Sequence, residues 1–205
     1  MNFKRLLYIL PFFLAITVSP KISFAGHESP TIFVKNMVDE CISILRSDKS
    51  KDIQKEKILN LIKISFDFPS ITENLLTGLK VNDKDKSALT DLFPYLLEMR
   101  YGIFIKSPNN LSVEYNGHEL FFFDFEAVVH TRTKVSSHSI ALDYKLRHVD
   151  GKWKIRDLEA DGVSLVSNYR AQINKILTRM SFPDFIKHLE EIVGKKTDPI
   201  NGQQS

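Results

Sequence analysis

The side chains best suited to chemistry are scattered along this 205-residue chain rather than gathered. His118, His130, His138, His148 and His188 all fall in its second half, and none forms an H-x-x-x-H pair. His130 and His148 can share one face of a sheet, which is the least a zinc site would need; a solvated strand edge explains them equally without metal. Asp157, Glu159 and Asp161 alternate along one strand and could face a cation. An exposed acidic edge answering Lys152, Lys154 and Arg156 is the plainer reading of the same residues. There is no glycine-rich phosphate loop and no G-x-S-x-G nucleophile elbow. These residues therefore assign no catalytic group, no metal ligand and no cofactor, and the chain is not expected to be an enzyme.

The apolar side chains say more. The chain holds 15 Phe and 6 Tyr, and Phe121-Phe122-Phe123-Asp124-Phe125 would place aromatic rings on both faces of one strand. A sheet that meets water on one face alternates apolar with polar residues. Either helices cover both faces there, or one face lines a ligand cavity of the apolar kind. Tyr169-Arg170 poses a similar choice: Arg170 can pair with Asp157 or Asp161, or sit at a pocket mouth where a phosphate would lie. Cys41 is the only cysteine, so no disulfide can form within the chain. Its place on an apolar helical stripe predicts a buried structural thiol.

The elements that must position these residues are readable from periodicity. Phe33, Val34, Met37, Val38, Cys41, Ile42 and Leu45 follow helical spacing, and Ile58, Leu61, Ile62 and Ser65 mark a second helix. Asp67 and Ser70 suit caps of short helical turns, with Pro69 near a first helical position. A helix is predicted from Asp83 to about Ile105, kinked or restarted at Pro94. The period then becomes two. Leu111, Val113 and Tyr115 alternate up to Asn116-Gly117, read as a hairpin turn. One long strand is predicted over Glu119–Lys134, with Phe121, Phe123, Phe125, Ala127 and Val129 on one face. Strands around Ile140–Leu146 and Trp153–Ile155 come next, joined at Asp150-Gly151. Helices from Ser164 to about Met180 and from about Pro183 to Val193 close the chain. Helices, an antiparallel meander and helices again make an α+β fold with a four-stranded antiparallel sheet.

The N-terminus reads as a cleavable secretory signal. Lys4 and Arg5 precede an apolar run from Leu6 to Val18, and Ser23-Phe24-Ala25 offers a cut after Ala25. That run is shorter than the roughly 20 apolar residues of a spanning helix. Residues 1–25 hold three of the 28 Lys and Arg and none of the 25 Asp and Glu, so residues 26–205 are balanced in charge. A strongly basic nucleic-acid binder is thereby excluded. Residues 26–194 are expected to form one domain, and 195–205 a polar, disordered tail.

The stretch from Leu142 to Leu177 carries a resemblance. Gly151, Trp153, Asp157, Gly162-Val163-Ser164-Leu165 and Tyr169-Arg170 together resemble the MlaC-type, or toluene-tolerance, family of periplasmic phospholipid-binding proteins that serve ABC transporters. The resemblance runs from about Thr31 to Val193. It departs from the family pattern at Leu79-Lys80-Val81 and at Pro94. It implies a sheet wrapped by N- and C-terminal helices around an apolar cavity, and a carrier that maintains outer-membrane lipid asymmetry. The implied partners are phospholipid, an inner-membrane ABC transporter with an MlaD-like component, and an outer-membrane lipoprotein–porin complex with an MlaA-like component.

On this reading Trp153, Val163 and Tyr169 line the cavity by motif. Phe122, Val129, Leu142 and Tyr144 are added from the sheet, and Leu97 and Tyr101 from the helices. Other functions fit parts of the pattern. A related carrier could hold a hopanoid or another lipid. A small enzyme on a cone-shaped scaffold like the nuclear-transport-factor-two-like fold would use His130 or Asp124. A pure interaction module would have a solid core.

Overall fold

The computed structural model describes residues 28–101, 111–135 and 137–197. Four helices come first: α1 (Pro30–Arg46), α2 (Lys51–Ser65), α3 (Phe68–Leu75) and α4 (Asp83–Tyr101). Five strands come next, β1 (Leu111–Phe121), β2 (Glu126–Val135), β3 (His138–Val149), β4 (Lys152–Ala160) and β5 (Val163–Ser164). Helices α5 (Leu165–Leu177) and α6 (Phe182–Thr197) complete the fold. The strands form one antiparallel meander in the order β1-β2-β3-β4-β5. The fold is α+β, as expected, with the two-residue β5 added to the four predicted strands.

Local chemistry sets the helix starts. Ser50 accepts from the Ile53 amide at 3.4 Å, Asp67 from Ser70 at 3.2 Å, and Ser164 from Ser167 at 3.1 Å. Each side-chain oxygen satisfies an amide that has no partner within its own helix. Pro69 occupies the first turn of α3, as its spacing predicted. Helix α4 runs through Pro94 as a single element, so no new segment begins there. The expected extension of that helix to Ile105 lies outside the described residues. Helix α6 continues to Thr197, past Lys195, where the tail was expected to begin.

Register organises the sheet face that meets α1. Ala127, Leu146 and Ile155 form one row across β2, β3 and β4, and Val129, Tyr144 and Leu158 form the next. Val129, Leu146 and Ile155 are completely buried. Burying each such side chain contributes about 1.5–3 kcal/mol. Helix α1 adds Val34 and Val38 to this cluster.

Two predicted features of the sheet are corrected. Asn116-Gly117 does not turn the chain; it is a bulge inside β1, where the register with β2 shifts between Tyr115 and His118 and Gly117 takes φ +94°. The long strand over Glu119–Lys134 is instead interrupted. Phe122, Phe123 and Asp124 adopt φ of 50°, 55° and 68°, and Phe121 pairs with Glu126 across the resulting hairpin. Left-handed backbone cannot continue a pleat, so the alternation that put Phe121, Phe123 and Phe125 on a face with Ala127 and Val129 fails. Phe123 is 92% exposed and Ala127 is buried.

Candidate functional site

The apolar interior is divided into two clusters. One is helical and is built from α3, α4, α5 and α6, with Ile71, Leu75, Leu89, Phe93 and Ile173 among its buried members. The other lies between α1 and the sheet and holds Val34, Val129, Tyr144, Leu146, Trp153 and Ile155. Phe66, at the end of α2, and Leu158, on β4, pack against both clusters. Phe66 is held in place by an isolated bridge to Ile155 and by its ring stacked 5.8 Å from that of Phe68.

The expected lining residues divide along the same boundary. Val129, Tyr144 and Trp153 are buried in the sheet cluster, with Leu142 partly buried against it. Leu97 is buried in the helical cluster, and Tyr169 packs on that cluster with its ring edge-on to Phe93 at 5.1 Å. The structure places Phe122 and Val163 differently: Phe122 lies in the β1–β2 turn, 73% exposed, and Val163 opens β5, 61% exposed. The Tyr101 side chain lies outside what is described. Phe66 and Leu158 were missed. Periodicity assigns a residue to one face of one element, and contact with two clusters is a property of their assembly.

The indole Nε1 of Trp153 donates to the Glu28 carbonyl at 2.7 Å, which ties the start of the described chain to the sheet. The Tyr144 hydroxyl is pushed well above its usual range by burial, with Tyr115 and Cys41 adding to the shift. Burial and the charge of Asp39 push Tyr115 up to about 12, and its hydroxyl has no hydrogen-bond partner among the described residues. Burial also pushes the Cys41 thiol up to about 11. All three groups are neutral at physiological pH, in keeping with an apolar interior.

Two open clefts flank this interior among the described residues. One, of about 320 Å³, lies between α1 and β1 and is lined by Asp39, Ile42, Ser43, Arg46, Leu111, Ser112, Val113 and Tyr115. The other, of about 290 Å³, lies where α3, α5, β3 and β4 meet. Its lining is Asn74, Lys145, Arg156, Asp157, Ser164, Val166, Ser167 and Arg170. Asp157 is not paired with Arg170. Its Oδ1 accepts from the amides of Leu158 and Val166 at 2.9 and 3.1 Å, and its Oδ2 accepts from the Ser164 hydroxyl at 2.6 Å. Asp161 likewise serves the backbone, accepting from the Ala141 amide at 2.9 Å.

The described histidines do not converge. His130 Nδ1 lies 3.0 Å from Asp143 and its Nε2 3.7 Å from Glu119, while His148 stacks edge-on against Trp153 at 4.3 Å. Among the described residues no group of three or more His, Cys, Asp or Glu is placed to hold a metal ion. Glu159 pairs with Lys145, and Arg156 with Glu126.

Residues 35–191 match a protein family described as MlaC protein. The chain belongs to the MlaC family. Among solved structures, a phospholipid-binding protein from Ralstonia solanacearum, determined in complex with a phospholipid, is similar in fold. It superposes with a TM-score of 0.70 at 20% identity, covering 83% of this chain and 100% of that one. No curated protein matches. The MlaC match takes in α1 from Lys35, the whole sheet and most of α6, so both clefts and, apart from Phe33 and Val34, both apolar clusters lie within it.

Proposed function

We propose that this member of the MlaC family is a non-catalytic periplasmic carrier of phospholipid, exported by a signal peptide cut after Ala25. It would hold acyl chains along the boundary between its two apolar clusters. The observation that carries this reading is the divided interior, spanned by Phe66 and Leu158, in a chain whose residues 35–191 match the family. The phospholipid bound to the Ralstonia protein of similar fold supports the choice of ligand.

The physics of such a carrier is set by the tails. Each buried methylene is worth about 0.8 kcal/mol, so one sixteen-carbon chain is worth on the order of 10 kcal/mol. Spontaneous release into water is then negligible. Unloading needs a partner that parts the two clusters or offers a continuous apolar path. In this reading the partners are an inner-membrane ABC transporter with an MlaD-like component and an outer-membrane lipoprotein–porin complex with an MlaA-like component. Transfer between them would maintain outer-membrane lipid asymmetry.

Native mass spectrometry of protein purified from periplasm without detergent tests the reading. A stoichiometric phospholipid adduct is expected, and its mass gives head group and tail number. A clean protein mass, with no lipid taken up from vesicles, would overturn it.

A further inference from the structure

The cleft between α3, α5 and β4 contains arginine donors that the fold leaves unused. Arg156 is the extra residue of a β-bulge: Lys145 pairs with Asp157 and Leu146 with Ile155, and Arg156 is left between them without a partner strand position. Bulges re-aim side chains and are enriched beside functional sites. One guanidinium nitrogen of Arg156 meets Glu126 at 2.9 Å, whereas its Nε is buried with no acceptor among the described residues. Arg170, half-buried one turn into α5, makes no hydrogen bond or ion pair among the described residues. Lys145 on β3 brings a third cation, answered by Glu159 and, at 3.9 Å, by Asp157.

The one carboxylate in the lining does not compete for the two arginines. Both oxygens of Asp157 are engaged by two amides and a hydroxyl, so it has little capacity for a bound cation or for Arg170. An uncharged ligand would leave the Arg170 fork unpaired in a half-dry site. A tetrahedral oxyanion offers several acceptors in the geometry that guanidinium forks match. Val166, also in the lining, belongs to the helical cluster, and Leu158, next to Asp157, touches both clusters. An anion seated here can therefore continue into apolar surroundings.

We propose that this cleft binds a phosphate group, with Arg170 as the principal contact and Arg156 and Lys145 in support. Resting on the carrier reading above, that phosphate is the phosphodiester shared by phospholipids. The site then distinguishes phosphorylated from unphosphorylated lipids and is indifferent to the head-group alcohol.

The test uses purified protein stripped of endogenous lipid and incubated with vesicles containing equal amounts of dioleoylphosphatidylcholine and dioleoylglycerol. Bound lipid is quantified by mass spectrometry. The wild type is expected to prefer the phospholipid by about tenfold, the scale of one charge-assisted hydrogen bond. Arg170→Gln should erase the preference without lowering dioleoylglycerol uptake, and Arg170→Lys should retain part of it. Equal uptake of both lipids by the wild type overturns the phosphate site and leaves the carrier intact. So does an Arg170→Gln variant that loses both lipids alike, which would make Arg170 structural. If neither lipid loads, the carrier reading fails, and titration with inorganic phosphate decides the site. A shift of the arginine side-chain Nε–H resonances that disappears in Arg170→Gln supports a site for free phosphate; no shift overturns it.

Discussion

Arg147 on β3 fastens α3 to the sheet through Asp67, its Nε lying 2.9 Å from Asp67 Oδ2. The other oxygen of that carboxylate caps α3 at the Ser70 amide, and the Asp67 amide donates to the Ile155 carbonyl at 2.8 Å. One residue, 7% exposed, thus joins a helix start, a strand and an ion pair immediately after Phe66, where the two apolar clusters meet. Replacing Asp67 with Ala should lower stability by about 1–2 kcal/mol, the sum of a lost cap and a lost ion pair with a partly exposed arginine. Asp67→Asn keeps a capping oxygen and should lose less. Urea unfolding with an unchanged slope measures both. Equal stability of Asp67→Ala and wild type would show that this junction does not hold α3.

The boundary between the clusters predicts different outcomes for two expected lining residues. Leu142 packs against the sheet cluster, so Leu142→Glu should abolish lipid retention while circular dichroism shows a folded chain. Val163 stands 61% exposed at the start of β5, so Val163→Arg should leave bound lipid unchanged. Lipid retained in Leu142→Glu would remove that part of the sheet from the binding path. Lipid lost only in Val163→Arg would mean that β5 closes over the ligand.

Period-two alternation placed Val129, Tyr144 and Trp153 correctly on one buried face, because β2 and β3 pair without interruption and the bulge at Arg156 falls beyond Trp153 and Ile155 in β4. Two local signals misled. Asn-Gly serves both turns and bulges, because either needs the positive φ that glycine supplies at position 117. Four phenylalanines in five residues favour a strand, and only Asp124 hints at a left-handed turn. Phe66 and Leu158 had no signature at all. Their role arises where α2, β4 and α5 assemble, at sequence separations that periodicity cannot reach.

That left-handed turn makes its own prediction. Phe123 sits at φ 55° with 92% of its surface in solvent, so its ring gains little from burial while its backbone carries strain. Non-glycine residues in this region cost about 1–2 kcal/mol, and asparagine tolerates it best. Phe123→Asn should match or exceed the wild type in thermal stability. The turn itself persists, because Phe125 donates to the Phe122 carbonyl at 3.2 Å and His148 to the Phe125 carbonyl at 2.8 Å. A clear loss of stability would show that the ring packs against the hairpin after all.

Cys41 is partly buried on α1 rather than fully enclosed as its apolar stripe predicted, and its protonation reports on how closely that helix packs. Burial pushes the thiol up to about 11 from an ordinary value of 9.0, so the folded state holds the proton more tightly than the unfolded chain does. The stabilising contribution is therefore complete below pH 9, and it is lost progressively as pH rises toward 11. Tyr115, raised to about 12 by burial and by Asp39, extends the decline further into alkali. Thermal unfolding should show stability falling from about pH 9 upward, with a shallower fall in Cys41→Ala. Near neutral pH the same shift reduces the thiolate fraction about 100-fold, so iodoacetamide should modify Cys41 far more slowly than a free cysteine. Modification at the free-cysteine rate would mean that α1 opens readily and that the sheet cluster beneath it is accessible to water.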